Sequence, residues 1–295
     1  MAPSLLPSID LNTYAQSTKG LKPEALAYIG SVFAAIKPND VDNTLTHLQS
    51  TVGQFSTNLE VSPDTSVDDI VALLDAGAAT VFVTEQQLSQ LKGVDNIDAS
   101  RIGLLILETL PGDGVVPSIL LKNPEQDFAP VAKWLGSQGQ DARVYLPTTQ
   151  ASTIESVISV VRTTKGAVTP IIPSESLTVE TSAGEGLFPV ADLLLANVSS
   201  DRPDGLFTTL VTDERGVALG LVYSSKESVA ESLRSGRGVY QSRKRGLWYK
   251  GESSGDIQEL ITLKIDCDQD CLQFVVRQKG RGCHPRSRSI SLFPH

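Results

Sequence analysis

The chain has no long apolar segment. None of its hydrophobic runs approaches the roughly 20 residues that a membrane-spanning helix requires. The segment Met1–Pro7 lacks the basic start and the apolar core of a secretory signal. We therefore do not expect a membrane or secreted protein, and we predict a cytoplasmic protein with no membrane partner.

Cysteine is scarce as well. The 295 residues include three, Cys267, Cys271 and Cys283, all within seventeen positions. An odd and clustered set does not make a disulfide framework, which excludes a small domain stapled by disulfides. Reduced thiols that lie this close in sequence are instead available to bind a metal ion.

The glycine motifs that bind nucleotide phosphates are also missing. There is no GxGxxG after a predicted strand and no GxxxxGK[ST]. Aromatic residues make up 5% of the chain, the net charge is −9, and no basic stretch is interleaved with aromatics. We therefore expect no nucleic-acid partner.

Charge is distributed unevenly along the chain. Residues 1–200 contain 10 basic and 22 acidic residues, whereas residues 201–295 contain 15 and 12. Together with the polar turn cluster Asn197–Gly205, this shift predicts two domains, residues 1–198 and residues 199–295. The weakly basic second domain suits an anionic ligand.

The first domain alternates short apolar strands with helices. Ser66 precedes a helix at Val67–Gly77, Thr80–Thr84 reads as a buried strand, and Glu85–Leu91 as the next helix. Residues 27–33 suit a strand or the end of a helix begun at Pro23. This pattern predicts an α/β domain with a parallel sheet, either barrel-like or an open doubly wound sheet. We find no catalytic constellation here, and the lone His47 is more often a surface or core residue than a ligand.

The second domain has a different pattern. Two strand-like runs flank the turn Asp213–Gly216, and Ser225 precedes a helix that ends at Gly236. Further strand-like runs follow at Val239–Ser242, Leu247–Lys250, Leu260–Ile265 and Leu272–Val276. We predict a smaller α+β domain whose sheet is mostly antiparallel.

Acidic residues and thiols alternate between the last two strands, in Asp266-Cys267-Asp268-Gln269-Asp270-Cys271. If this segment is extended, the three carboxylates share one face and the two thiols share the other. Oxygen ligands suit Mg²⁺ and thiolates suit Zn²⁺. The alternatives are a solvated acidic turn and two small core cysteines.

Seven ordered motifs lie between residues 200 and 290 of the second domain: Arg202–Leu206, Gly220–Ser225, Gly236–Tyr240, Ser242–Arg245, Leu247–Gly255, Asp266–Asp270 and Cys283–His284. Together they resemble the motifs of phosphoribosyl-AMP cyclohydrolases, as found in fungal multifunctional histidine-biosynthesis proteins.

The resemblance implies hydrolytic opening of the adenine ring of phosphoribosyl-AMP between N1 and C6 by a zinc-activated water. It also implies a homodimer that shares zinc ligands. By position in the motifs, Zn²⁺ is assigned to Cys267 and Cys283. Mg²⁺ is assigned to the three carboxylates of Asp266, Asp268 and Asp270.

Other motif residues have candidate roles. His284 either moves a proton to the departing N1, orients the water, or only packs beside the zinc site. Arg243, Lys244 and Arg245 either clamp a 5′ phosphate or form a solvated basic turn. Substrate contacts are also predicted for the polar loop, through Lys250, Glu252 and Ser254. Trp248 is expected in the core.

The chain departs from the family pattern near its end. The family has a third zinc-binding cysteine seven residues after the second, where this chain has Ile290, and the sequence diverges from about residue 279. Cys271 stands where the family has a small apolar residue, which favours a buried strand residue. The competing hypothesis is therefore a relative that folds or oligomerises without turnover. A purely structural zinc module is disfavoured because structural zinc sites are normally closed by four ligands, and the sequence contains no such set.

Overall fold

A computed structural model describes residues 4–16, 20–106, 110, 117–122, 128–138, 142–148, 152–181, 184 and 186–280. The chain forms two compact units. One contains residues 2–20 and 31–176, and the other contains residues 21–30 and 177–295. Residues 177–198 thus belong to the second compact unit, and the domain boundary between 198 and 199 stays a prediction. No helix among the described residues is both long and apolar enough to cross a membrane.

Eight parallel strands of the first unit close into a barrel in chain order. They are β1 Leu6–Ser8, β2 Ser31–Ile36, β3 Ser56–Val61, β4 Thr80–Val83, β5 Ile102–Ile106, β6 Ser118–Leu121, β7 Arg143–Pro147 and β8 Val168–Pro173. Closure comes from β1, which pairs with β2 on one side and with β8 on the other. The prediction of a parallel α/β domain is confirmed, in its barrel form.

Helices connect most of these strands. They are α2 Val41–Ser50, α3 Val67–Asp75, α4 Glu85–Leu91, α5 Phe128–Ser137 and α6 Ile154–Thr163. The Ser66 side chain accepts a hydrogen bond from the Asp69 N–H and so caps α3 as predicted. Short 3₁₀ turns occupy Tyr14–Gln16, Pro38–Asp40, Ala99–Arg101 and Ser174–Ser176.

The barrel interior is filled by large side chains. A buried cluster joins six of its strands: Leu6, Phe33, Phe82, Leu120, Tyr145 and Ile171. Above it, Glu60 of β3 and Lys122, just after β6, form an ion pair of 2.5 Å across the carboxyl ends of the strands. The described part of the barrel thus has a packed core, as expected for this architecture.

His47 is a core residue of the barrel unit. It is 8% exposed and packs against Tyr14 and Phe55, with ring centroids 5.4 and 6.0 Å away. Its Nε2 atom has no hydrogen-bond partner among the described residues. Burial lowers the pKa of the imidazole.

Residues 27–33 contain both of the elements that the sequence allowed. The helix α1, Pro23–Ile29, ends at Gly30, whose φ of 82° is the left-handed conformation that suits glycine. Strand β2 then begins at Ser31. Although α1 precedes β2 in sequence, it belongs to the second compact unit, where the Tyr28 carbonyl accepts a hydrogen bond from Thr262.

The second unit is built on a four-stranded sheet in the order β12-β11-β16-β15. Its strands are β11 Phe207–Thr212, β12 Ala218–Ser224, β15 Gln258–Ile265 and β16 Cys271–Gln278. A hairpin adds β13 Val239–Ser242 and β14 Gly246–Tyr249, and a short parallel pair adds β9 Leu177–Thr178 and β10 Phe188–Pro189. The helices are α7 Val190–Leu194 and α8 Lys226–Ser235, which Ser225 caps. In the four-stranded sheet, β11 and β16 are parallel and the other pairs are antiparallel. The predicted smaller, mostly antiparallel domain is confirmed.

The two faces of this sheet differ in burial. Leu272, Phe274 and Val276 of β16 are 0% exposed, whereas the alternate residues Cys271, Gln273 and Val275 are half-buried. Because neighbours in register share a face, Tyr223, Thr208 and Cys271 form one row on the more open side. We call this side the open face.

Candidate metal and substrate site

Three carboxylates converge at the turn between β15 and β16. Each of Asp266, Asp268 and Asp270 offers one oxygen, and these oxygens lie within 4.8 Å of one another. Asp268 is exposed and the other two are half-buried. We call this set the acid triad. The arrangement brings together the three side chains that the sequence assigned to magnesium.

The turn achieves this geometry through its backbone. Asp266 and Cys271 pair at its base, because the Asp266 N–H donates to the Cys271 carbonyl at 3.1 Å. Asp266 Oδ1 in turn accepts from the N–H groups of Asp270 and Cys271, each at 3.1 Å. Gln269 adopts a φ of 64°, which reverses the chain. The expectation of an extended segment is therefore wrong: a turn, and not strand alternation, brings the carboxylates together.

The electrostatics of the triad favour a cation. Burial raises the Asp266 pKa, but the hydrogen bonds from Cys271 and Asp270 outweigh it and lower the pKa overall. The charge of Asp268 raises the pKa of Asp270, with further contributions from burial and from Asp266. A bound hard cation would reduce the repulsion among these carboxylates. Within the described chain, the donor set fits a magnesium ion.

The structure describes two of the three cysteines, Cys267 and Cys271. Cys267 is exposed at the turn, and Cys271 is half-buried as the first residue of β16. Burial raises the pKa of the Cys271 thiol, and the neighbouring carboxylates raise it further. Cys283, His284 and Ile290 lie outside the described residues. The described part of the chain therefore contains one of the two thiols assigned to zinc.

The predicted basic residues lie at the turn of the β13–β14 hairpin. Arg243, Lys244 and Arg245 are all exposed. The N–H groups of Lys244 and Arg245 donate to Ser242 Oγ, which shapes the turn. Arg243 reaches the open face, where its Cζ lies 5.6 Å from the centroid of the Tyr223 ring.

A second arginine, to which the sequence assigned no role, meets the same ring. The Cζ atom of Arg202 lies 3.9 Å from the Tyr223 centroid. Its guanidinium also donates twice to the Asp204 carboxylate, at 2.9 and 2.7 Å. The signal for Arg202 was its place in a family motif before a Pro-Asp-Gly turn, which does not reveal the contact with a residue 21 positions later.

Lys250 lies on the other side of the sheet. It is 7% exposed and contributes to a small cavity lined by residues of the buried face, among them Val211, Leu219 and Gly220. Half-buried Trp248 lines the same cavity. The Lys250 amine donates to the Asp256 carbonyl at 3.3 Å and so closes its own loop.

Gly251 adopts a φ of 85° in that loop, with Asp256 backbone atoms where a Cβ would stand. Glu252 and Ser254 are exposed at the loop tip. The structure thus groups Arg243 with Tyr223 on the open face and sets Lys250 apart from them.

Comparison with known proteins agrees with the motifs. The family model for phosphoribosyl-AMP cyclohydrolase matches residues 220–290. A histidine biosynthesis bifunctional protein of Schizosaccharomyces pombe is 37% identical over 297 residues, covering 95% of this chain and 69% of that protein. The chain belongs to the phosphoribosyl-AMP cyclohydrolase family.

Other relatives show how the two units are distributed within the family. A histidine biosynthesis trifunctional protein of Neurospora crassa is 40% identical over 274 residues, which is 90% of this chain and 30% of that protein. A phosphoribosyl-AMP cyclohydrolase of Roseobacter denitrificans is 47% identical over 87 residues, which is 29% of this chain and 68% of that protein. The similarity to the fungal relatives therefore extends into the residues of the barrel unit, and the chain spans less than a third of the Neurospora protein.

The cyclohydrolase match covers most of the predicted site. It includes the acid triad, the two thiols, the basic turn and the loop that follows Lys250, together with His284 and Ile290. Arg202 precedes the matched segment, although the structure joins it to Tyr223 inside that segment.

Proposed function

We propose that the second unit catalyses hydrolytic opening of the N1–C6 bond of the adenine ring of phosphoribosyl-AMP, in histidine biosynthesis. The observation that carries this proposal is the acid triad, whose carboxylate oxygens lie within 4.8 Å of one another inside the segment that matches the cyclohydrolase family. Membership of the family supplies the substrate and the reaction. The triad supplies a cation site where the family motif requires one.

Mg²⁺ is the cation we assign to Asp266, Asp268 and Asp270. Three carboxylate oxygens at one turn match the ligands that this ion prefers, and the exposed Asp268 leaves the site open to water and to phosphate. Asp266 is held in place by two backbone N–H groups, so the site is partly formed before any ion arrives.

Zinc chemistry rests on the thiols. Cys267 and Cys283 would hold Zn²⁺, which supplies a water that is deprotonated near neutral pH and able to attack C6. His284, next to Cys283 in sequence, is then suited to deliver a proton to the departing N1. Arg243, Lys244 and Arg245 bind a 5′ phosphate, and Glu252 and Ser254, exposed at the tip of the following loop, contact the rest of the substrate. Lys250, buried on the other side of the sheet, shapes that loop through its hydrogen bond to the Asp256 carbonyl.

A second candidate function follows from Ile290. Isoleucine has no metal-binding atom, so this chain offers no zinc ligand at the position of the family's third cysteine. In this alternative the domain folds or oligomerises without turnover. For the enzyme we expect a homodimer, because the resemblance implies zinc ligands shared between subunits.

Turnover of phosphoribosyl-AMP by the purified chain decides between the two functions. Ring opening is followed by absorbance with added Zn²⁺ and Mg²⁺, beside a sample of Ile290→Cys. Activity of the unchanged chain supports the enzyme and makes Cys271 and His284 the next residues to replace. Activity of Ile290→Cys alone supports a sound domain without a complete zinc site. No turnover in either sample, with both chains folded, would contradict the proposed enzyme.

A further inference from the structure

Arg202 is held in one orientation by three contacts. Its Nε and Nη2 atoms donate to the two carboxylate oxygens of Asp204, at 2.9 and 2.7 Å, and its Cζ lies 3.9 Å from the Tyr223 ring centroid. Asp204 is itself fixed, since its Oδ1 accepts from the Leu206 N–H at 3.3 Å. A guanidinium held by a carboxylate and an aromatic ring has little rotational freedom left to lose on binding.

Arg243 comes to the same ring from a different element. Its Cζ lies 5.6 Å from the Tyr223 centroid, and it is exposed at the turn of the β13–β14 hairpin. Within the described ranges it forms no ion pair. Both guanidinium groups therefore lie near the Tyr223 ring, and Asp204 neutralises that of Arg202. Lys244 and Arg245 add further positive charge at the turn.

Two arginines on one ring suit an anion better than a base. The guanidinium of Arg202 already occupies one face of the Tyr223 ring, which leaves less of the ring for an adenine to stack on. A phosphate monoester carries several negatively charged oxygens, and arginine side chains recognise them through charge-assisted hydrogen bonds. The net positive charge of these side chains favours binding of a phosphate.

The sheet register relates Arg202 and Arg243, which we call the arginine cluster, to the acid triad. Tyr223 pairs with Thr208, and Thr208 pairs with Cys271, so the three side chains share the open face. With neighbouring strands about 4.8 Å apart, Tyr223 and Cys271 are separated by about 10 Å. Cys271 in turn donates to Asp266 of the triad. The cationic and the anionic groups thus stand at two ends of one row.

We infer that Arg202 and Arg243, arranged around Tyr223, bind one phosphate of the substrate at a site separate from the acid triad. This inference rests on the proposed function, because phosphoribosyl-AMP carries two phosphates at opposite ends of the molecule. The arginine cluster holds one end, and the triad with its cation stands toward the other. Tyr223 is a positioning residue that aligns Arg202, and Arg202 is a binding residue that the family match does not include.

Calorimetric binding to the full chain tests the site without turnover. The probes are AMP and ribose 5-phosphate, which represent the two ends of the substrate, and adenosine, which has no phosphate. Arg202→Gln is expected to weaken at least one phosphate probe by about tenfold, while adenosine binding stays unchanged. The probe that loses affinity identifies the end that the cluster holds.

Matched variants separate binding from folding. Arg215→Gln removes an exposed arginine at the opposite end of the same β11–β12 hairpin, and its phosphate affinity should equal that of the unchanged chain. Tyr223→Phe keeps the ring and should retain affinity, whereas Tyr223→Leu should lose it several-fold. Equal thermal midpoints confirm that each variant is folded.

Two outcomes would overturn the inference. One is equal phosphate affinity in Arg202→Gln and in the unchanged chain, and the other is an unchanged chain that binds the phosphate probes no better than adenosine. Neither depends on turnover, so loss of the proposed activity is a separate result. Where the chain or Ile290→Cys is active, Arg202→Gln should raise KM for phosphoribosyl-AMP about tenfold with little change in kcat.

Discussion

Asp266 and Cys271 are joined by two hydrogen bonds, one in each direction. The Asp266 N–H donates to the Cys271 carbonyl, and the Cys271 N–H donates back to Asp266 Oδ1, each at 3.1 Å. The pair closes the turn that carries the acid triad, so one carboxylate serves both as a structural acceptor and as a candidate metal ligand. Folding of the β15–β16 hairpin and formation of the cation site are therefore coupled.

Replacing Asp266 should affect stability and metal binding together. Asp266→Ala removes the acceptor for two N–H groups, so we expect the free energy of unfolding to fall by about 1–2 kcal/mol. We also expect the variant to lose Mg²⁺ affinity. Asp268→Asn is the matched control, because Asp268 is exposed. It should lose Mg²⁺ affinity with little change in stability. Urea unfolding and Mg²⁺ calorimetry measure both quantities; equal stability losses in the two variants would contradict this assignment of roles.

His47 should make the barrel less stable in mild acid. Its folded pKa is lowered by burial, so the unfolded chain binds a proton at a higher pH than the folded chain does. Its contribution to stability is fully present above the unfolded value of about 6.5 and is lost as the pH falls below it. His47→Phe keeps an aromatic ring against Tyr14 and Phe55 and should flatten this dependence. Unfolding curves between pH 7.5 and 5 test it, and an unchanged slope in the variant would show that other groups are responsible.

Glu231 should stabilise the second unit above its acidic range. It accepts from Arg234 and from the Tyr249 hydroxyl, each at 2.7 Å, and the Arg234 hydrogen bonds are the main reason that its pKa is lowered. A lowered carboxyl pKa contributes stability that is present above the unfolded value and is lost as the pH falls through the folded value.

Glu231→Gln should cost about 1 kcal/mol at pH 7 and much less near pH 3. Glu227→Gln, on an exposed position of the same helix, is the control and should cost little at either pH. A constant difference between Glu231→Gln and the unchanged chain at both pH values would rule out the titration as its cause.

The ion pair across the barrel should be a local structural feature without a role in cyclohydrolysis. Lys122→Met leaves Glu60, with 14% of its side chain exposed, without its cation. Because a half-buried charge is costly to leave unpaired, Lys122→Met should destabilise the chain more than the double variant with Glu60→Gln does. A double-mutant cycle should give a coupling of about 1 kcal/mol. The affinity of the chain for the phosphate probes should stay unchanged in Lys122→Met. A loss of that affinity would show that the ion pair influences phosphate binding, contrary to its expected local role.

Helix positions followed from local signals. Ser66 before α3 and Ser225 before α8 were recognised as caps, and both side chains accept the expected N–H hydrogen bonds. Such signals are local because the capping groups lie within three residues of each other. The choice between a barrel and an open sheet was not local, since it depends on Leu6 pairing with Ile171 at the other end of the unit.

The candidate site shows the same division. The residue types of the acid triad were evident in the sequence, but its geometry was predicted from an extended strand, whereas the positive φ of Gln269 makes a turn. The association of Arg202 with Tyr223 was missed because it requires the β11–β12 hairpin to bring a loop residue against a strand residue.

Sequence alone was enough to predict the clustering of carboxylates and thiols, the order of helices and strands, and the family to which the motifs belong. Tertiary structure alone decided that the strands close into a barrel, that α1 joins the second unit, and that Lys250 and Tyr223 face opposite sides of one sheet. The physical reason is separation along the chain. Caps and turns form from neighbouring residues, whereas strand pairing and the facing of side chains depend on contacts between distant residues that form only when the whole unit packs.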